Sequence, residues 1–446
     1  MKRIVLLVAI GLGIISAFIF QLTSIARHDF YVAHHFGNLI PSLTISVYVF
    51  SVFFVALWLV LRKISGVSEK WLKIILLGGF AIIAVIAMLT HPTRSQDIYW
   101  SLLLGKGFSH FHLNPYTTQP LALEKDSWAY PILAWKDMTM MYGPVWTLLV
   151  SGVSAVTDSL SVALLIMKFI FVGAFVFSVV LFWKIMALLN IPRTKCYQLV
   201  FLFMWNPFVI QCVLVDLHND IFLMLSLLAS YYFLLKKHHG ASMMALILGG
   251  FVKYVPWFFL IIPVYYLLRD TRQGNKRFNT LIRLCVIGLF SLWLFYLPFG
   301  GLNPQNLLGL SSQVENVGFS SQFLPGTTLV TVLFGTSFAQ DRWFGIFLML
   351  IALVWCLYKN KPLLAYTLPI IFLLFFGTPW FQPWYGLWVL PLFMLYAPVF
   401  VVIAVVIFLL VTPELVSPAT ASIQIPAYAV YVYAVMYFYR LTKKRG

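Results

Sequence analysis

Four acidic residues, Asp97, Glu124, Asp126 and Asp137, fall between residues 91 and 141, where two apolar runs leave a polar gap. His91, His110 and His112 lie there too, with Arg94, Lys106 and Lys136. Polar loops held by a rigid scaffold are where binding and catalysis concentrate. Asp97, in the run HPTRSQDIYW, heads the candidates. A transferase that joins a sugar to an alcohol needs a group to take the acceptor proton, and a carboxylate within hydrogen-bond reach does this. The plainer reading of Asp97 is a loop aspartate paired with Arg94.

A second constellation is Asp216-Leu217-His218-Asn219-Asp220. On a helix, Asp216 and Asp220 share a face. They sit in strongly apolar surroundings, and ionisable groups at membrane depth are costly and usually functional. Asp-x-His with a further Asp is also a metal-donor pattern, and a satisfied structural network is the bland alternative. Arg94, Lys106, Lys136 and Lys253 are cations suited to a phosphate. Lys253 is the most informative, lying in an apolar run between Phe251 and Tyr254, although snorkelling to a headgroup also explains it. The tryptophans from Trp380 to Trp388 read as an interfacial aromatic belt or as a platform for a sugar ring.

The elements that must position these residues are membrane helices. Hydrophobic residues make up 62% of the chain and charged residues 10%, a balance that excludes a soluble domain. Many apolar runs reach the roughly 20 residues that cross hydrocarbon. They are continuous rather than alternating, which excludes a β-barrel. The net charge of +17 comes from short basic clusters between spans, among them Lys236-Lys237 and Arg269 to Arg283. That is the positive-inside pattern, pointing to membrane lipid as a partner and not to nucleic acid. Cys196, Cys212, Cys285 and Cys356 are isolated, lack metal-ligand spacing and read as small packing residues. Neither GxxxxGK[ST] nor GxGxxG occurs, so a sugar donor would be membrane-borne rather than a soluble nucleotide sugar.

In chain order, spans are predicted over about 4–20 (uncleaved rather than a signal peptide), 40–61, 72–90, 160–189, 197–215, 221–235, 279–298, 342–358, 362–377, 384–412 and 426–440. A short apolar run, 142–156, is either interfacial or a span, and 241–268, with Lys253, Pro256 and Pro263, reads as a broken element. With the basic clusters inside, the loops 91–141, 300–326 and 378–385 fall together outside. The apolar spacing between Gln96 and Phe111 predicts an amphipathic interfacial helix, apolar side in the headgroups.

Several short segments resemble the membrane-embedded GT-C glycosyltransferases, in particular the bacterial polyprenol-phosphate-mannose-dependent mannosyltransferases. They are Gln96-Asp97-Ile98-Tyr99 with Gly107 and Asn114-Pro115-Tyr116, then Tyr142-Gly143-Pro144-Val145-Trp146. Trp205-Asn206-Pro207 leading to His218-Asn219-Asp220, Lys253-Tyr254-Val255-Pro256, and Gln382-Pro383-Trp384-Tyr385 with Trp388 complete the set, over roughly residues 90–390. The resemblance implies an all-α polytopic membrane protein, a single GT-C-like helix bundle over residues 1–446 with about 11–13 spans. It also implies a bacterial plasma membrane location with an extracytoplasmic site. The implied reaction is inverting transfer of a hexose, mannose first, from a polyprenyl-phosphate carrier to a glycolipid or glycan acceptor. Asp97 would be the base. Arg94, Lys106, Tyr142, His218, Asn219, Asp220, Lys253, Gln382, Trp384 and Tyr385 would bind substrate. No soluble cofactor is implied, and Asp97 and Asp220 are the carboxylates that would hold a divalent metal if one is used. The rival reading is a transporter or flippase of a lipid-linked sugar. It predicts inverted repeats and polar motifs through the midplane, whereas here they gather on one face.

Overall fold

The computed structural model describes residues 68–92, 95–129, 135–271, 274–302, 342–374 and 383–396, together with Gly11. The spans predicted over 4–20, 40–61 and 426–440 and nearly all of the loop 300–326 lie outside the described residues. Within them every regular element is helical. The longer helices are α1 (Glu69–Leu89), α2 (Asp97–Phe111), α3 (Pro144–Ala155), α4 (Leu160–Leu188), α5 (Arg193–Met204), α6 (Asp220–Leu235), α7 (His239–Gly250), α8 (Ile261–Asp270), α9 (Gly274–Tyr296) and α10 (Arg342–Tyr358). Three stretches, Glu69–Leu89, Leu160–Leu188 and Arg277–Phe299, are long and apolar enough to cross a membrane. A fourth qualifies if α5 and Pro207–Val215, bent by 41° at their junction, form one span. The molecule is an all-α membrane protein.

The bend has a local cause. Proline lacks an N–H and pushes the preceding residue out of the helical region. Asn206 accordingly adopts an extended backbone, and its side-chain oxygen accepts from the amides of Phe208 and Val209 at 3.0 and 3.4 Å. After this cap the chain forms a π-helical turn, Ile210–Val215. The helix α4 shows the two sides a membrane helix needs. Phe169, Val176, Phe177 and Val180 face outward, while Met167, Lys168, Phe171, Phe175 and Phe182 are buried. The broken element predicted over 241–268 is found as α7, a turn through Phe251–Tyr254, a 3₁₀ segment Val255–Leu260 and then α8.

The stretch after α1 departs from the sequence expectation in one respect. A helix does form over Asp97–Phe111, but every residue from Ile98 to Gly107 is buried within the protein, so of its apolar residues only those at the C-terminal end, Phe111 above all, are open to the surroundings. Pro120–Leu123 and Ser127–Ala129 cover part of the helix, and α3 packs closely against another side. A Cβ at Gly105 would stand 2.8 Å from the Val150 backbone, so only glycine permits the approach. Polar side chains then fasten α2 to α3 and to the segment that leads into it. Trp146 donates to Ser101 Oγ at 3.2 Å, Ser154 donates to the Leu102 carbonyl at 3.1 Å, and Trp100 donates to the Met138 carbonyl at 2.9 Å.

Candidate active site

Two backbone hydrogen bonds join the segments that carry Tyr142 and Lys253. The Gly143 amide donates to the Val252 carbonyl at 2.9 Å, and the Val145 amide donates to the Phe251 carbonyl at 3.0 Å. Pro144 starts α3, where its missing N–H costs no intrahelical bond. From the other side, the Tyr116 hydroxyl reaches the Tyr142 carbonyl at 3.2 Å and Thr147 Oγ1 at 3.0 Å. Asn114 fixes that turn, accepting from the Tyr116 amide and donating to the Phe299 carbonyl, both at 3.0 Å. The Tyr-Gly-Pro and Asn-Pro-Tyr motifs are thus structural devices that aim one tyrosine.

That tyrosine points at Asp97. The Tyr142 hydroxyl donates to Asp97 Oδ2 at 3.4 Å, and His218 Nδ1 stands 3.7 Å from the same oxygen. Asp97 opens α2, where the aligned peptide dipoles favour a negative charge. Its own amide donates to Ser95 Oγ at 3.2 Å. Burial works against ionisation of Asp97, but His218, Ser95 and Lys253 outweigh it and hold the carboxyl below its ordinary range. Tyr142 is pushed the other way, by burial first and then by the charges of Asp97 and Asp220, so it remains a protonated donor.

The second carboxylate is of a different kind. Asp220, at the start of α6, is 0% exposed, whereas the Asp97 side chain is 21% exposed. Asp220 Oδ1 receives Lys253 Nζ at 2.8 Å and also the indole N–H of Trp388. Lys253 lies over three rings, Tyr142, Tyr385 and Trp388, at 5.4, 4.5 and 5.3 Å from their centroids. This combines an ion pair with cation–π attraction. His218 lies flat on the Trp384 indole, ring centroids 3.8 Å apart and 16° from parallel. Tyr385 stacks on Trp388 at 4.7 Å. His218 Nε2, Asn219 Nδ2 and Asp220 Oδ2 are all buried without a hydrogen-bond partner.

Asp97, Tyr142, His218, Asn219, Asp220, Lys253, Trp384 and Tyr385 therefore stand in one cluster. Asp216 does not share a helix face with Asp220. Leu217 between them adopts a left-handed backbone, φ +58°, which ends the π-helical turn before α6 begins. Asp216 takes Gln211 as one partner, at 2.9 Å. Lys106 is nine residues along α2 from Asp97, about 14 Å by helical rise. It pairs with Asp126 at 2.8 Å and lies over the Trp128 ring. Arg94 and Gln382 lie outside the described residues. Sequence reasoning passed over Lys168, whose only sign is a lysine inside a long apolar run. It read Trp388 as part of an aromatic belt or sugar platform and left it out of the substrate-binding residues, although its indole meets Asp220.

Asp97 and Asp220 are each engaged by different partners, and among the described residues no three His, Cys, Asp or Glu side chains come together in the manner of a metal site. What the arrangement can do is accept a proton at Asp97 and present a buried cation beside aromatic faces.

Comparison with known proteins gives one match. A family described as "Alpha-(1->6)-mannopyranosyltransferase, N-terminal domain" covers residues 4–269, which include Asp97, Tyr142, His218, Asp220 and Lys253. No curated protein and no solved structure matches the chain.

Proposed function

Since the chain belongs to the alpha-(1->6)-mannopyranosyltransferase family, a GT-C type of mannosyltransferase, we propose that it transfers mannose with inversion from a polyprenyl phosphate to an extracytoplasmic glycolipid or glycan. The observation that carries the reading is the meeting of Asp97, Tyr142 and His218 beside the Lys253–Asp220 pair. An alpha linkage formed with inversion starts from a beta-linked mannosyl phosphate. A 1->6 linkage makes the acceptor a primary hydroxyl.

Asp97, ionised and the more open of the two carboxylates, takes the hydroxyl proton as the acceptor oxygen attacks C1. Tyr142 and His218 hold the carboxylate in place. The bond from C1 to the phosphate oxygen breaks, and the electron pair leaves on the carrier phosphate. That charge needs a nearby cation. An ammonium has three hydrogens, and Asp220 uses one of those on Lys253, leaving two for the phosphate. Asn219 Nδ2 and Asp220 Oδ2, orphaned at present, supply a donor and an acceptor for sugar hydroxyls, and Trp384 supplies an apolar face. No step is routed through a metal. Lys106, engaged with Asp126, is not assigned to the step. Concentration of acidic loops opposite the basic clusters supports an extracytoplasmic site in a bacterial plasma membrane. Membership of a mannosyltransferase family favours transfer over transport.

The test is incubation of purified protein with labelled beta-mannosyl polyprenyl phosphate and a membrane lipid extract. A labelled product sensitive to an alpha-mannosidase that cleaves 1->6 linkages is expected. Transfer from a nucleotide sugar instead, or no product from any lipid-linked mannose, would overturn the donor assignment.

A further inference from the structure

Lys168 lies within the apolar helix α4 and is 3% exposed. Its ammonium donates to three backbone carbonyls, Ala87 at 2.7 Å, Leu214 at 3.1 Å and Val215 at 3.3 Å. These carbonyls share a character. Ala87 is in the last turn of α1, and Leu214 and Val215 end the π-helical turn. The last carbonyls of a helix lack the full set of intrahelical donors, and inside a membrane protein water does not serve them; Ala87 is met by the Thr90 amide at 3.2 Å as well as by Lys168. A cation there also complements the negative end of each helix. All three hydrogens of the ammonium are used on two different helix ends.

The two ends are the supports of the two halves of the site. Ten residues after Ala87 the chain reaches Asp97, and three after Val215 it reaches His218. His218 is further held by its amide, which donates to the Cys212 carbonyl at 2.9 Å within the same turn. We infer that Lys168 is a positioning residue: by binding the ends of α1 and of the 210–215 turn to one ammonium, it sets the separation of Asp97 and His218. The inference rests on the reading of Asp97 as the base, and its test separates the two.

Lys168→Met keeps length and removes all three bonds. Hydrogen exchange of the folded protein in detergent reads the tether without any substrate. Exchange should quicken together in peptides covering 87–97 and 210–220, while the α6–α7 pair keeps its protection. In the transfer assay kcat should fall about 10²-fold, the cost of a small misplacement of reacting groups, with KM for the donor little changed. Combined with Asp97→Asn, Lys168→Met should add no further loss, because both act on one step; a merely structural role would multiply the losses. Unchanged exchange in either segment, or multiplied losses, would overturn the inference. Wild-type turnover by Asp97→Asn alone would remove the base assignment and leave exchange to decide the tether. Should Lys168→Met fail to fold, Lys168→Gln, a shorter neutral side chain with two amide hydrogens, is used. The same paired quickening is expected from it, and a uniform quickening overturns the proposal.

Discussion

No side chain fits between Gly143 and Phe251: a Cβ on the glycine would stand 2.1 Å from the Phe251 carbonyl oxygen. The close approach lets the Gly143 and Val145 amides reach the segment before Lys253. Gly143→Ala must push the two strands of chain apart, moving Tyr142 away from Lys253. A loss of about 1–3 kcal/mol is expected from overpacking, measured as a lower melting temperature in detergent, together with slowed transfer. An alanine variant as stable and active as the parent would mean the approach is looser than described.

Lys253 and Asp220 form a buried pair, with side chains 13% and 0% exposed. Lys253→Met leaves a buried carboxylate unpaired, a cost of about 3–5 kcal/mol. Replacing both, as Lys253→Met with Asp220→Leu, removes the lone charge and should restore most of the stability. Transfer should stay lost, because the cation for the leaving phosphate is gone. Recovery of activity in the double variant would show the pair to be structural only. Expression, melting temperature and single-turnover rate distinguish these results.

The pH profile tests His218. Burial raises the Asp97 carboxyl, and His218 is the first of the groups that lower it below its ordinary range. A base with a depressed value loses activity only when the pH falls through that value. In His218→Gln the burial effect is left less opposed, so the acidic limb of kcat/KM should move to higher pH. The same sign holds for stability: the contribution of Asp97 is present above its unfolded value and lost as pH falls through the folded one. An unmoved acidic limb would mean that Asp97 and His218 are not coupled in the working enzyme.

Lys106, grouped with the phosphate binders on sequence, is assigned here to structure through Asp126 and Trp128. Lys106→Met should lower the melting temperature while the folded fraction keeps its KM for the donor. A large rise in KM with stability unchanged would return Lys106 to the donor site.

Much of the site was readable in the chain because its residues are of types that membrane helices exclude. Asp97, Asp220 and Lys253 stand out against an apolar background, and glycine or proline beside Tyr142 and Lys253 marks close packing and chain breaks. The surroundings of α2 were not readable. Its apolar residues suit a lipid surface or a protein neighbour equally well, and only the Gly105 approach to Val150 decides. Nor did the spacing of Asp216 and Asp220 survive, since a left-handed Leu217 is not announced by its residue type. The stacking of His218 on Trp384 joins residues far apart in sequence, and no local pattern encodes it.

The central claim is that Asp97 takes the acceptor proton, and the most direct measurement is the single-turnover transfer rate of Asp97→Asn. The amide keeps the size of the side chain and still hydrogen-bonds the acceptor, but it does not accept a proton. A fall on the order of 10²–10⁴-fold is expected, with donor affinity little changed. Asp137→Asn, exposed in the same loop, serves as the control and should be near neutral. A folded, inserted Asp97→Asn protein that transfers mannose at the parental rate would contradict the assignment and pass the role of base to Asp220.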